Sequence, residues 1–160
     1  MATVWPTTTK KQQYIRYNTQ SKKLLIKNSN YVFLRRFSAK EEDQRLVAAP
    51  YLASAISANI IGLENHLNYI YRPHGKLSIE EVFGLAALYN CELFDIYFRT
   101  FSGNTQVSAT EIKDMPLPEL HVVEKIGSLI LKSNLRYNRL DKIINDVVVG
   151  TGDPLYYEQT

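Results

Sequence analysis

From Val82 to Phe98 the sequence is apolar around most of a helix. Val82, Phe83, Leu85, Ala86, Leu88, Tyr89, Leu93, Phe94, Tyr97 and Phe98 cover nearly the whole circumference. A helix of this kind cannot lie on a surface, so the rest of the chain has to close around it. Its start is marked by Ser78-Ile79-Glu80-Glu81, a capping box in which the Ser78 hydroxyl accepts from the amide three residues on while Glu81 reaches back. The pattern predicts one buried helix running to about Thr100. Gly103 follows as the left-handed residue that ends it, and Asn104 can share that role.

What closes around the helix differs on its two sides. Upstream, residues 13–17, 23–27, 31–37, 45–52 and 67–71 are short stretches rich in Tyr, Ile, Leu, Val and Phe, which read as strands. Asn28-Ser29-Asn30 is turn chemistry and predicts a hairpin between the second and third stretches, and Pro50 suits an edge or a strand end. Alternation puts Val32, Leu34 and Arg36 on one face and Tyr31, Phe33, Arg35 and Phe37 on the other. An arginine on each face implies a twist or bulge near Arg35-Arg36.

Downstream, Ser108-Ala109-Thr110-Glu111 repeats the capping box and opens a helix that Pro116 must stop. Met115-Pro116-Leu117-Pro118 is then forced into an extended path. Apolar residues at helical spacing over 119–131 and 138–149 predict two more helices in an antiparallel pair. The fold class that follows is α+β: a mostly β N-terminal fold with a buried central helix, then a C-terminal helical pair. The expected division is 1–118 as one domain, 119–149 as a helical spacer or appendage, and 150–160 as a loosely held tail.

Length and composition agree with an ordinary globular chain. The 160 residues, 45% hydrophobic and 22% charged, suffice for one domain or for one domain with a small appendage. Cys91 is the single cysteine, which excludes an internal disulfide and points to a reducing cytoplasm. Residues 1–13 are polar, without the apolar core of a signal peptide, and no run approaches 18 apolar residues.

The net charge of +3 conceals an asymmetry. Residues 1–50 hold ten Lys/Arg against three acidic side chains, a net of +7, whereas the other 110 hold nine against thirteen, a net of −4. A basic end of this density is the electrostatic footprint of a polyanion partner, and a plain solvated face is the alternative.

Sites for chemistry are sparse. A methyltransferase needs a glycine-rich S-adenosylmethionine (AdoMet) loop and, for an amine target, a Pro-Pro-aromatic motif, but the sequence contains no Pro-Pro pair. Val147–Gly152 superficially reads as strand plus glycine loop, and Asp153-Pro154-Leu155-Tyr156 as a degenerate target-amine motif. Only eight residues follow Gly152, too few to build a nucleotide fold. Glu111-Ile112-Lys113 has a Glu-x-Lys spacing seen in metal nucleases, with Asp95 as a second ligand for Mg²⁺. The capping box, however, already accounts for Glu111. His66, His74 and His121 are scattered and form no zinc spacing.

Four ordered stretches carry a resemblance: "YVFLRRFSAKEEDQRLVAAPY" (31–51), "IGLENHLNYIYR" (61–72), "GLAALYNCELFDIYFR" (84–99) and "SGNTQVSATEIKDMPLP" (102–118). Together with Val4-Trp5-Pro6 they resemble the C-terminal part of the BsuBI/PstI-type adenine-specific DNA methyltransferases of bacterial restriction-modification systems. The resemblance implies a target recognition domain for double-stranded DNA. It also implies a separate AdoMet-binding methyltransferase domain, upstream or in trans, which methylates a flipped adenine. The cofactor loop and the Pro-Pro-aromatic motif of that domain are absent here. A stand-alone or excised specificity module is therefore expected, inactive by itself and without a cofactor or metal of its own.

The stretch from Gly103, Asn104, Thr105 and Gln106 to Pro118 also resembles the elbow of type I specificity subunits, where a recognition domain passes into helices. Arg35, Arg36, Lys40 and Arg45 are then the foremost candidates for DNA contact, with Lys22 and Lys23 as phosphate ligands. Asn65, His66 and Asn68 could read bases or pin a loop. Two alternatives remain: a metal-dependent nuclease, and a protein-interaction scaffold working through helices 119–149.

Overall fold

The computed structural model describes residues 15–133 and 140–150. In chain order, a 3₁₀ turn at Ser21–Leu24 leads into β1 (Leu25–Lys27) and β2 (Tyr31–Arg35). After β3 (Ala48–Tyr51) and a short 3₁₀ turn at Ala53–Ala55 come β4 (Ile60–Gly62) and β5 (Leu67–Ile70). Five helices follow: α1 (Ile79–Asn90), α2 (Glu92–Phe101), α3 (Ala109–Lys113), α4 (Leu120–Ser133) and α5 (Leu140–Gly150). This is the α+β order expected, with strands first and helices after. The strand predicted over 13–17 starts outside the described residues, and 15–17 are not in a strand.

The strands do not pair as their turns suggest. β1 pairs antiparallel with β4, Leu25 opposite Gly62, while β2 is the centre of a separate antiparallel sheet in the order β3-β2-β5. The expected hairpin across Asn28-Ser29-Asn30 is therefore absent, and the asparagines show why. Asn28 Nδ2 donates to the carbonyls of Ala53, Ile56 and Ala58 at 3.0, 3.0 and 2.7 Å. Asn30 donates to Leu77 O at 2.8 Å and accepts from the Ala53 amide at 3.0 Å. Both side chains satisfy distant backbone instead of closing a local turn, so the chain leaves one sheet and enters the next. Pro50 lies in β3, an edge strand, where its missing N–H costs no ladder bond.

Alternation along β2 holds. Val32 and Leu34 are fully buried in the main core. The other face carries a ring cluster in which Tyr31 contacts Phe33, Tyr51 and Tyr69 at centroid distances of 5.9, 6.3 and 5.5 Å. Burial raises the pKa of the Tyr31 and Tyr51 phenols above the ordinary 10.

Both predicted capping boxes form. The Ser78 hydroxyl accepts from the Glu81 amide at 3.0 Å and the Ser108 hydroxyl from the Glu111 amide at 3.1 Å; each glutamate returns a bond to its serine amide. The single long helix does not form. It breaks at Cys91, which is extended (φ −80°, ψ 152°). Asn90, just before the break, uses its side chain to bond both the amide and the carbonyl of Ala48 at 2.9 and 2.8 Å, stitching the helix end to β3. Gly103 also departs from expectation, since its φ lies outside the left-handed region. α2 ends instead on an extended Ser102 whose amide bonds Phe98 O.

α1 is the hub of the core, in contact with β2, β3, α2, α4 and α5. Its approach to α4 depends on two glycines: a Cβ at Gly84 would run into the Val123 carbonyl, and one at Gly127 into the Glu80 carbonyl. Val122, Val123 and Ile126 of α4 and Leu140, Ile144, Val147 and Val148 of α5 belong to the same core as β2 and α1. The segment expected as a spacer thus shares the core of the domain it was expected to follow.

Candidate nucleic-acid interface

Strand register brings distant segments to one end of the two sheets. Leu67 opposite Arg35 sets the 63–66 loop beside the end of β2, and Leu25 opposite Gly62 sets the turn bearing Lys22 and Lys23 beside the same loop. Past β2 the chain keeps pairing. The Arg36 amide donates to His66 O at 2.8 Å, the Val107 amide to Arg36 O at 2.7 Å, and the Ser38 amide to Thr105 O at 3.0 Å, with a bridge between Phe37 and Gln106. The elbow therefore lies along the extension of β2, and four loops meet at one end of the molecule.

Of the residues singled out from sequence, Lys22, Lys23, Arg36, Lys40, Asn65 and His66 are exposed at this end. Arg36 sits 5.9 Å over the ring of Phe37, which itself meets the His66 ring edge-on at 4.8 Å. His66 Nδ1 lies 2.9 Å from Glu64. Among the described residues Lys22, Lys23, Arg36 and Lys40 make no ion pair. Phe37 was not a sequence candidate, yet it is 41% exposed between Arg36 and His66. Its signal was available: an aromatic residue directly after two arginines on an alternating strand.

Two candidates are placed differently, and a third takes the loop-pinning role that was one of its two expected ones. Arg45 is 1% exposed, against the expectation of surface contact. Its guanidinium lies 5.0 Å over the Phe98 ring and donates to Ser102 O at 2.9 Å and to Asn104 O, holding the elbow from inside. Arg35 is half-buried and engaged with Glu42 at 2.5 Å, Ser38 and Gln44 O. Asn68 donates to Val107 O at 2.7 Å, so its amide fastens the elbow to β5. The exposed Gly103, Asn104, Thr105 and Gln106 make their contacts chiefly through backbone, to Arg45, Ser38 and Phe37.

The segment between Ser38 and Leu46 is tied down by charged groups. Asp95 Oδ1 accepts the amides of Arg45 and Leu46 at 2.7 and 2.8 Å, and Oδ2 accepts Arg99 Nε at 2.7 Å. Arg99 in turn donates to the carbonyls of Lys40, Glu42 and Asp43 at 2.9, 2.7 and 3.2 Å. Glu42 caps the Ala39 amide at 2.9 Å, and that bond, aided by Arg35, holds its pKa below the ordinary 4.5.

The pair considered for a nuclease is spent on structure. Asp95 anchors this loop and Glu111 closes the α3 capping box. Although burial pushes the Glu111 pKa up, the Ser108 amide bond and the bonds from Ser102 and Ser108 outweigh it and keep the pKa low. Among the described residues no three His, Cys, Asp or Glu side chains gather as a metal set, and no helix is long and apolar enough to cross a membrane.

No protein-family model and no solved structure matches the chain. Over 143 residues it is 34% identical to the type II methyltransferase M.PstI of Providencia stuartii, covering 89% of this chain and 28% of that protein. Over 129 residues it is also 34% identical to the type II methyltransferase M.BsuBI of Bacillus subtilis, covering 81% of this chain and 26% of that protein. The chain thus spans little more than a quarter of the length of these curated relatives. The converging loops are carried by a chain that is homologous, over most of its length, to type II methyltransferases.

Proposed function

We propose that this chain is the target recognition module of an adenine-specific DNA methyltransferase of a restriction-modification system. In this reading it binds double-stranded DNA sequence-specifically, acts in the cytoplasm, and works with an AdoMet-binding catalytic domain that is upstream or in trans. The observation that carries it is that strand pairing sets Arg36 and the turn bearing Lys22 and Lys23 beside the 63–66 loop, with Lys40 exposed on the loop that follows β2. The homology to type II methyltransferases supports the same reading. Cations set on a preformed end grip phosphates and fix register, while Asn65, His66 and Phe37 are placed to meet base edges or a thymine methyl. Arg35, Arg45 and Asn68 act from behind, as supports of that surface.

The test is binding to duplexes selected from a randomised pool, followed from 50 to 200 mM salt. Affinity should fall with a log-log slope of about 0.9 per phosphate neutralised, and Arg36→Ala or Lys40→Ala should each lower the slope by about one. If no duplex binds, or if binding is indifferent to salt, the proposal fails.

A further inference from the structure

The network behind the 38–46 segment is more than a loop of this length needs in order to stay folded. A loop that only connects β2 to β3 would satisfy its polar groups with water. This one is fastened at three levels by α2 and the elbow. The two amides at its end, Arg45 and Leu46, share one oxygen of Asp95, which is only 5% exposed. Three of its carbonyls, those of Lys40, Glu42 and Asp43, point at the single guanidinium of Arg99. Arg45 then passes from the loop to the carbonyls of Ser102 and Asn104. Asp95 and Arg99 are an i,i+4 pair on one helix, so both halves of the clamp are fixed by α2.

Planar guanidinium groups satisfy several carbonyls in one fixed geometry, which a lysine cannot do. The outer surface of the clamped loop carries Lys40 at the candidate interface, while its inner surface is the clamp.

We infer that Asp95 and Arg99 are positioning residues that hold the 38–46 loop in its reading conformation before DNA arrives, so that recognition does not spend binding energy on ordering it. The inference rests on the proposed DNA reading, and it adds this loop to Asn65, His66 and Phe37 as a contributor to the discrimination between sequences. Preordering cuts the entropic cost of association, and a loosened loop loses discrimination while its lysine still meets phosphate.

The test uses the full chain with Arg99→Ala, Arg99→Lys and Asp95→Asn, the last keeping an acceptor for the two amides but removing the anionic partner of Arg99. Two quantities are measured: hydrogen exchange of the Ala39, Glu42, Arg45 and Leu46 amides in the free protein, and the affinity ratio between the selected duplex and a random one. Arg99→Ala should raise exchange at these amides at least tenfold and leave α1 and α4 amides unchanged. It should lower the affinity ratio at least tenfold while the salt slope on random duplex stays the same. Arg99→Lys should fail to rescue either quantity, and Asp95→Asn should give an intermediate result.

Unchanged exchange in both Arg99 variants would overturn the positioning role, whatever the chain binds. Faster exchange with an unchanged affinity ratio would overturn the reading role of the loop and leave DNA binding standing. If the unaltered chain binds no duplex, the proposed function and the reading role fall together, while exchange still decides whether Arg99 holds the loop.

Discussion

The α1–α4 contact and the 38–46 loop are both closely fastened, by opposite means. Where α1 meets α4 the helices come together because two side chains are missing, and Gly84 and Gly127 let backbone lie against backbone. Apart from Leu46 at its end, the loop buries no apolar side chain, and it is fixed by guanidinium groups and carboxylates that saturate its backbone. The first kind of order tolerates no added volume and is indifferent to pH and salt. The second tolerates volume but depends on charge. A module that must keep one frame and vary what it presents gains from separating the two, since changes at the loop leave the frame alone.

The largest effect should come from filling the helix contact. Gly84→Ala or Gly127→Ala places a methyl group on a carbonyl oxygen and should cost about 3 kcal/mol, read as a lower denaturant midpoint; a loss within ~0.5 kcal/mol would show that α1 and α4 can separate freely. Next is Arg45→Ala, which strips the bonds from Ser102 and Asn104 and the cover from Phe98. A loss of about 2 kcal/mol in the same assay is expected, because the buried Ser102 carbonyl is left unpaired.

Smallest in stability, and most telling for the comparison, is acid. Glu42 is held below 4.5, so its contribution is complete above that value and is lost as pH falls through its lower folded pKa. Protection factors at the Ala39 amide should therefore drop below pH 4.5 while those of α1 stay level. A parallel fall in both would mean that the two regions are not independent.

What could be read from sequence followed the range of the interactions. Capping boxes at Ser78 and Ser108 are closed within four residues, and both form. Alternation along β2 reports its two faces for the same reason. Several of the misreadings involve side chains that reach far along the chain. Asn28 looks like a turn residue, but its amide bonds carbonyls 25 to 30 positions away. Asn90 ends a helix that is apolar on both sides because it binds β3.

Arg45 is indistinguishable from Arg36 by composition, although one is buried and the other exposed. A hint did exist: Asp95 and Arg99 are charges set among the apolar residues of α2, and charges in such a place draw partners from elsewhere. At the site, the sequence located the basic residues and the 63–66 loop but could not sort outward-facing cations from internal struts. That sorting is decided by tertiary packing.

The pairing of β1 with β4 has a consequence for how the molecule assembles. Leu25 and Gly62 are 37 positions apart, so no early hairpin can shelter the first strand as the chain is made. Until residue 62 is available, β1 presents an unpaired edge, and closing so long a loop makes this sheet a late step of folding. Nascent chains stalled before Gly62 should be the ones most prone to aggregate or to require a chaperone.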